Sequence, residues 1–340
     1  MNEFKFRTEV QIPEYQQKIS YRSGAVFMGS CFTENVGHKM ADLKFPVDIN
    51  PYGILYNPVS VANGIRLLLE SKTFQKTDLI EHKGVWHSFF HHGRFSSPDA
   101  DEALKQINER LQSSSRFLKE AEFLLITFGT AWVYRYRQTG EIVSNCHKIP
   151  DGEFVREKLS VSEIVENYRL LLADLEKVNP NLNILFTVSP IRHWKDGAVE
   201  NQRSKATLLL AIEEIVKLSN EKCSYFPSYE LVMDELRDYR FYAPDMLHLS
   251  EPAVDFIWSR FQDTLLDAQS RKVSELVKKI VDAARHRPIH KNSQEFRKFA
   301  ENSLKQISKM EDDFPFLNLK LEKEYFIRHL QNLDGGDLKK

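Results

Sequence analysis

The chain has 340 residues, 42% hydrophobic and 28% charged, enough to bury a large core in one domain with a smaller appendage. Lysine plus arginine (47) nearly cancel aspartate plus glutamate (48), so a net charge of -1 gives no overall pull toward nucleic acid or an anionic membrane. Cys31, Cys146 and Cys223 are too scattered for a disulfide framework or a paired zinc site, which fits a reducing compartment.

From Met1 to Ile12 polar and apolar residues alternate without the apolar core of a signal peptide, and no apolar run is long enough to span a bilayer. The expectation is a cytoplasmic protein with no membrane span. Gly24 to Phe27 then forms a short apolar strand entering Gly29-Ser30, and Val36, Met40 and Leu43 recur at helical spacing behind it. Phe123 to Phe128 and Asn183 to Val188 read as buried strands. Between them lies an amphipathic helix carrying Ile164, Tyr168, Leu171, Leu172 and Leu175, which Asn179-Pro180 ends. A further helix passes through Leu208, Ile212, Ile215 and Val216 to a short apolar segment at Tyr225-Phe226. Strands alternating with helices predict a parallel sheet covered on both faces.

The last third changes character. Ser250-Glu251-Pro252 starts a helix through Phe256, Ile257, Leu265 and Leu266. Amphipathic segments follow, to Arg287-Pro288, then through Phe296, Phe299, Leu304 and Ile307, and finally from Tyr325 to Leu330. The predicted division is an α/β domain over 1–265 and a helical extension over 266–334. The extension braces the core or offers a surface for a homodimer.

Three strand ends carry candidate chemistry. Ser30 sits on a strand-turn-helix path, where a hydroxyl stands above the sheet edge and the free N–H groups of a helix start can stabilise an oxyanion. A helix-capping serine would look the same. Cys31 is the competing nucleophile, expected to point inward as a small apolar residue. Near the end of the α/β portion, Asp245 and His248 are three residues apart, close enough for the carboxylate to fix the tautomer of the imidazole, which could then move a proton to and from a serine. Ser189-Pro190-Ile191-Arg192-His193 follows a strand, so Arg192 could hold a substrate anion or a structural acid, and His193 could assist. The run from Trp86 to His92, with His87, His91 and His92, lacks an HExxH pattern and reads as structural or substrate-lining, with His87 as the candidate. No glycine-rich phosphate loop or GxGxxG is present, and neither a cofactor nor a metal is expected.

A serine after the first strand with Asp-x-x-His after the last resembles the SGNH (GDSL-like) hydrolase superfamily. Gly29-Ser30-Cys31-Phe32 resembles more closely the signature of the GSCFA family, from which Thr33 departs at the final alanine. The resemblance spans about residues 20–262 and covers the helical tail less specifically. It implies a three-layer α/β/α flavodoxin-like parallel sheet and a serine esterase or O-acyltransferase with Ser30, Asp245 and His248 as its triad. The implied substrate is an ester-linked acyl group on a small molecule, carbohydrate or lipid. Oxyanion donors implied by the superfamily are the N–H of Ser30 and the glycine at Gly53. The superfamily's asparagine is missing from Thr127-Phe128-Gly129-Thr130-Ala131-Trp132, leaving Thr130 or a neighbouring N–H as substitute. One such donor is worth on the order of 10²–10³ in rate, so its loss leaves a non-catalytic binding protein as the alternative reading.

Overall fold

The computed structural model describes residues 8–219, 221–286 and 293–336, with side chains to residue 331. The amino-terminal stretch before residue 8, the boundary at Arg287-Pro288 and the side chains of the 266–334 extension beyond residue 331 lie outside the described residues.

Strand β1 (Ala25–Gly29), buried along its whole length, leads into α1 (Cys31–Asp42) and β2 (Val47–Ile49). Helix α2 (Pro58–Leu69) begins where the Asn57 side chain accepts the Ser60 N–H and Pro58 fixes the first turn. A hairpin, β3 (Ile80–His82) and β4 (Val85–His87), precedes α3 (Ala100–Glu120) and β5 (Phe123–Phe128). An antiparallel sheet of order β7-β6-β8 follows, from β6 (Trp132–Tyr136), β7 (Ile142–Val143) and β8 (Phe154–Lys158). Ser160 and Glu163 form a capping box that opens α4 (Val161–Val178), which feeds β9 (Asn183–Val188), α5 (Gly197–Lys217) and β10 (Cys223–Tyr225). One-turn α6 (Ser228–Glu230) runs into a π-helical turn, and α7 (Glu251–Leu265), α8 (Ala268–Arg285), α9 (Gln294–Asp313) and α10 (Lys320–Gly336) complete the chain.

The main sheet has the order β10-β9-β5-β1-β2, and all of its pairings are parallel. The three central strands, β1, β5 and β9, bury both sides. Val26, Met28, Leu124, Ile126, Ile184 and Phe186 face one apolar cluster with α2 to α5, while Ala25, Phe27, Phe123 and Leu125 face another with α1 and α7. The chain leaves β1 toward β2 on one side and continues through β5 on the other. The carboxyl ends of β1 and β5 therefore flank a topological switch point, where open parallel sheets offer a crevice. Val273, Val277, Ile280, Ala300, Ile307 and Phe326 of the last three helices share the apolar cluster of Phe32, Met40 and Leu265, so the helical extension is continuous with the core of the α/β unit. No helix among the described residues is long and apolar enough to cross a membrane.

Candidate active site

The β1–α1 turn is fixed by its backbone. Gly29 has φ +140, and a Cβ there would collide with the Thr127 carbonyl, so the β1–β5 ladder closes over this position only with glycine. Its N–H donates to Asn50 Oδ1 (2.9 Å), and its carbonyl accepts the Leu55 N–H (2.9 Å). Asn50 is buried, and its Nδ2 donates to Glu34 Oε1 in the first turn of α1 (3.3 Å).

Ser30 continues the extended strand (φ -71, ψ 174) and donates its N–H to Thr127 O (3.2 Å). Strand geometry turns the side chain inward: the residue is 1% exposed and Oγ has no hydrogen-bond partner. Cys31, the first residue of α1, is half-buried. Burial raises its thiol pKa, while its own N–H, that of Phe32 and the Lys205 ammonium pull the other way. The expected presentation is therefore reversed. Cys31 is the more exposed of the two residues, and Ser30, whose extended backbone continues β1, is buried.

Asp245 and His248 form a pair on a tight loop. A bridge between Tyr242 and Leu249 closes it, Ala243 N–H donates to His248 O (2.8 Å), and Met246 takes a left-handed φ of 60. Asp245 Oδ1 accepts the N–H groups of Leu247 and His248 (both 2.9 Å), and Oδ2 meets His248 Nδ1 at 2.6 Å. The imidazole bond first, then those two N–H groups, hold the Asp245 carboxyl down at about 2. An ionised carboxylate assigns the proton to Nδ1 and leaves Nε2 bare.

The loop stands at the same sheet edge as the β1–α1 turn. Leu249 and Ala253 share an apolar cluster with Phe32 and Val36. Lys39 of α1 pairs with Asp255 of α7, and α7 ends at the opposite edge, where Leu265 O accepts the Ile19 N–H ahead of β1 (2.7 Å).

The expected oxyanion donors are already engaged. Besides the Ser30 N–H, that of Gly53 donates to Asn50 O (2.8 Å) in a turn of φ +78 packed against His92. The Thr130 N–H donates to Tyr56 O (3.0 Å), and its hydroxyl pairs with Ser204 Oγ (3.1 Å). All three serve the scaffold, and none is a free donor.

Residues that motif reading passed over lie here instead. Lys205 is fully buried, and its Nζ donates to Gly129 O (2.7 Å) and Ser189 O (2.6 Å), the carbonyls that follow β5 and β9. Burial lowers its pKa to about 7. One turn earlier, Asn201 accepts the His193 N–H through Oδ1 (2.8 Å), and its buried Nδ2 has no partner. A lysine on the stripe of Leu208, Ile212 and Ile215 was the available signal. Gly129 has only the space of its missing Cβ between Tyr56 and Ser30.

Of the expected substrate contacts, His193 tilts against Tyr56 with centroids 5.3 Å apart, and its pKa is lowered by burial first and then by Lys205 and Arg156. Arg192 is half-buried, with Nη2 3.4 Å from Met233 Sδ. His87 stacks on His147 (4.5 Å) and bonds Ser96 Oγ (2.7 Å). Its loop reaches the turn through other residues, with Arg94 Nη2 donating to Asn50 O (2.8 Å). Among the described residues no group of three or more His, Cys, Asp or Glu side chains could hold a metal ion.

The molecule is thus an α/β protein with a parallel sheet and a polar cluster at its carboxyl edge. The sequence model of the GSCFA family matches residues 25–261, and that of the GSCFA domain protein, C-terminal domain, matches residues 277–332. The chain belongs to the GSCFA family. No curated protein matches it in sequence.

Proposed function

We propose that this chain is an SGNH-type acyl hydrolase or O-acyltransferase on a flavodoxin-like sheet, acting in the cytoplasm on an ester-linked acyl group of a carbohydrate or lipid. The observation that carries this reading is the Asp245–His248 pair at 2.6 Å, at the sheet edge to which β1 delivers the Gly29–Ser30–Cys31 turn. Order β10-β9-β5-β1-β2 with all pairs parallel supports the scaffold, since counted along the sheet it is the 2-1-3-4-5 arrangement. With Nδ1 bonded to Asp245, His248 Nε2 takes the proton of the nucleophile as it attacks the acyl carbonyl, and Asp245 stabilises the imidazolium. His248 then returns the proton to the departing alkoxide, and water or a second alcohol takes the acyl group from the enzyme.

The test is turnover of a panel of p-nitrophenyl and sugar acyl esters by wild type and His248→Ala. Hydrolysis or transfer that falls on the order of 10³-fold or more in the variant supports the reading. The engaged N–H groups of Ser30, Gly53 and Thr130 favour a second reading, a ligand-binding protein on the same scaffold. Ester binding without turnover by wild type selects it.

A further inference from the structure

We infer that Arg192 and Asn201 form an anion subsite beside the candidate active site, and that the ester this protein acts on carries a carboxylate or phosphate group. The inference rests on the acyl-transfer reading above and adds the charge of its substrate.

Arg192 follows the carboxyl end of β9 and is half-buried, yet among the described residues no carboxylate meets it. Its one polar contact there is Met233 Sδ, a weak acceptor. Arg22 and Arg116 also lack a carboxylate there, but both stand in solvent, where water serves the charge. A guanidinium taken partly out of water without a counter-ion costs stability that an incoming anion offsets.

The acids of the neighbourhood are committed elsewhere. At the start of α5, Asp196 pairs with Arg156, and Glu200 with Lys158 (3.2 Å) and Arg203. Around Met233, Glu230 accepts the Tyr225 hydroxyl (2.8 Å) and Asp234 lies 3.9 Å from Arg237. The sequence allows Arg192 a structural acid or a substrate anion, and no structural acid among the described residues reaches it.

Asn201 is the second, independent sign. It is 2% exposed, and its Oδ1 takes the His193 N–H (2.8 Å), which orients the amide with Nδ2 as the end left without an acceptor. A buried donor of this kind is kept where a ligand or an ordered water completes it. Lys205, one turn further along α5, adds positive charge, and it lies near enough for the Arg192 charge to push its pKa down. Its bond to the Gly129 carbonyl (2.7 Å) ties this corner to the β1–α1 turn, since Gly129 packs against Ser30. A guanidinium, an amide N–H and an ammonium at one sheet edge suit an oxyanion on the substrate.

The experiment uses the full chain with inorganic phosphate and succinate as probes, read by thermal shift and isothermal titration against sodium chloride of equal ionic strength. At least one of the two should bind and raise the melting temperature where chloride does not. Arg192→Met should weaken that binding by about tenfold or more, and Arg192→Lys by less. Asn201→Asp keeps an acceptor for the His193 N–H but sets a negative charge in the subsite, and should also weaken binding by about tenfold or more. Tighter binding of succinate marks a carboxylate ligand, and tighter binding of phosphate a phosphate ester. In turnover, the ratio of kcat/KM for mono-4-nitrophenyl glutarate to that for 4-nitrophenyl butyrate should fall by about tenfold or more in Arg192→Met. No binding of either anion beyond chloride, or binding or a ratio unchanged in Arg192→Met, overturns the inference, and turnover of the neutral ester then leaves the acyl-transfer reading standing. Anion binding that Arg192→Met removes, in a protein that hydrolyses no ester, keeps the subsite and sinks that reading.

Discussion

The β1–α1 turn is gripped inside the molecule, whereas the loop from Ala243 to Ser250 is held largely by bonds to itself and stands in solvent. Gly29 is tied to Asn50 and Leu55, Ser30 to Thr127, and Asn50 to Glu34 and Arg94. Among the described residues Asp245 bonds only its own loop, through Leu247 and His248, and its side chain and that of His248 are about half exposed. Misplacing the turn should therefore cost the fold, and misplacing the dyad should leave the fold intact and, under the acyl-transfer reading, cost chemistry alone. The two can be separated by melting temperature.

The largest effect is expected at Gly29. With φ +140 and the Thr127 carbonyl where a Cβ would stand, Gly29→Ala must part β1 from β5 at the switch point. Left-handed strain and overpacking together should cost more than about 3 kcal/mol. Thermal unfolding of the purified variant checks this, and a melting temperature equal to wild type would show that the turn yields.

Much of that turn could be anticipated and its fine setting could not. β1, β5 and β9 are unbroken apolar runs, and α4 and α5 keep strict periodicity, so the parallel unit was readable. β2 was not, because its central Asp48 is polar and is buried only through Arg110, supplied by α3. The small sheet of β6 to β8 escaped likewise, being half-exposed strands with a cross-strand Arg135–Glu157 pair. Which of Ser30 and Cys31 is the more exposed depends on the extended backbone of Ser30 and its bond to Thr127, which no local pattern encodes. Asp245 and His248 were legible because their bond spans only three residues. Lys205 acts through the Gly129 and Ser189 carbonyls that follow β5 and β9, distant in sequence.

Lys205 gives the intermediate effect. Lys205→Met keeps an unbranched side chain but leaves the Gly129 and Ser189 carbonyls without their donor, a loss of about 2–4 kcal/mol. The pH dependence has a definite sign. With a folded pKa of about 7 against about 10.4 unfolded, the unfolded chain holds the extra proton between those values, so this lysine makes wild type more stable as pH rises through that window. The variant lacks this gain, and the gap between the two should widen from pH 7 to pH 10 in denaturant titrations. A constant gap would mean that the amine keeps an ordinary pKa.

Asp245→Asn should leave the melting temperature nearly unchanged, because an asparagine Oδ1 can still accept the N–H groups of Leu247 and His248 that shape the loop. Its Nδ2, however, donates toward His248 Nδ1, which pushes the imidazole proton onto Nε2 and removes the base. Under the acyl-transfer reading, kcat/KM for a reactive ester should then fall on the order of 10⁴-fold with the fold intact. The wild-type carboxyl is held down at about 2, so the charge it lends the imidazole is lost only as pH falls through that value. Any acid limb in the wild-type rate at higher pH therefore belongs to another group. A variant that melts well below wild type would instead show that the loop is braced through Asp245, and that the dyad belongs to the scaffold like the turn it faces.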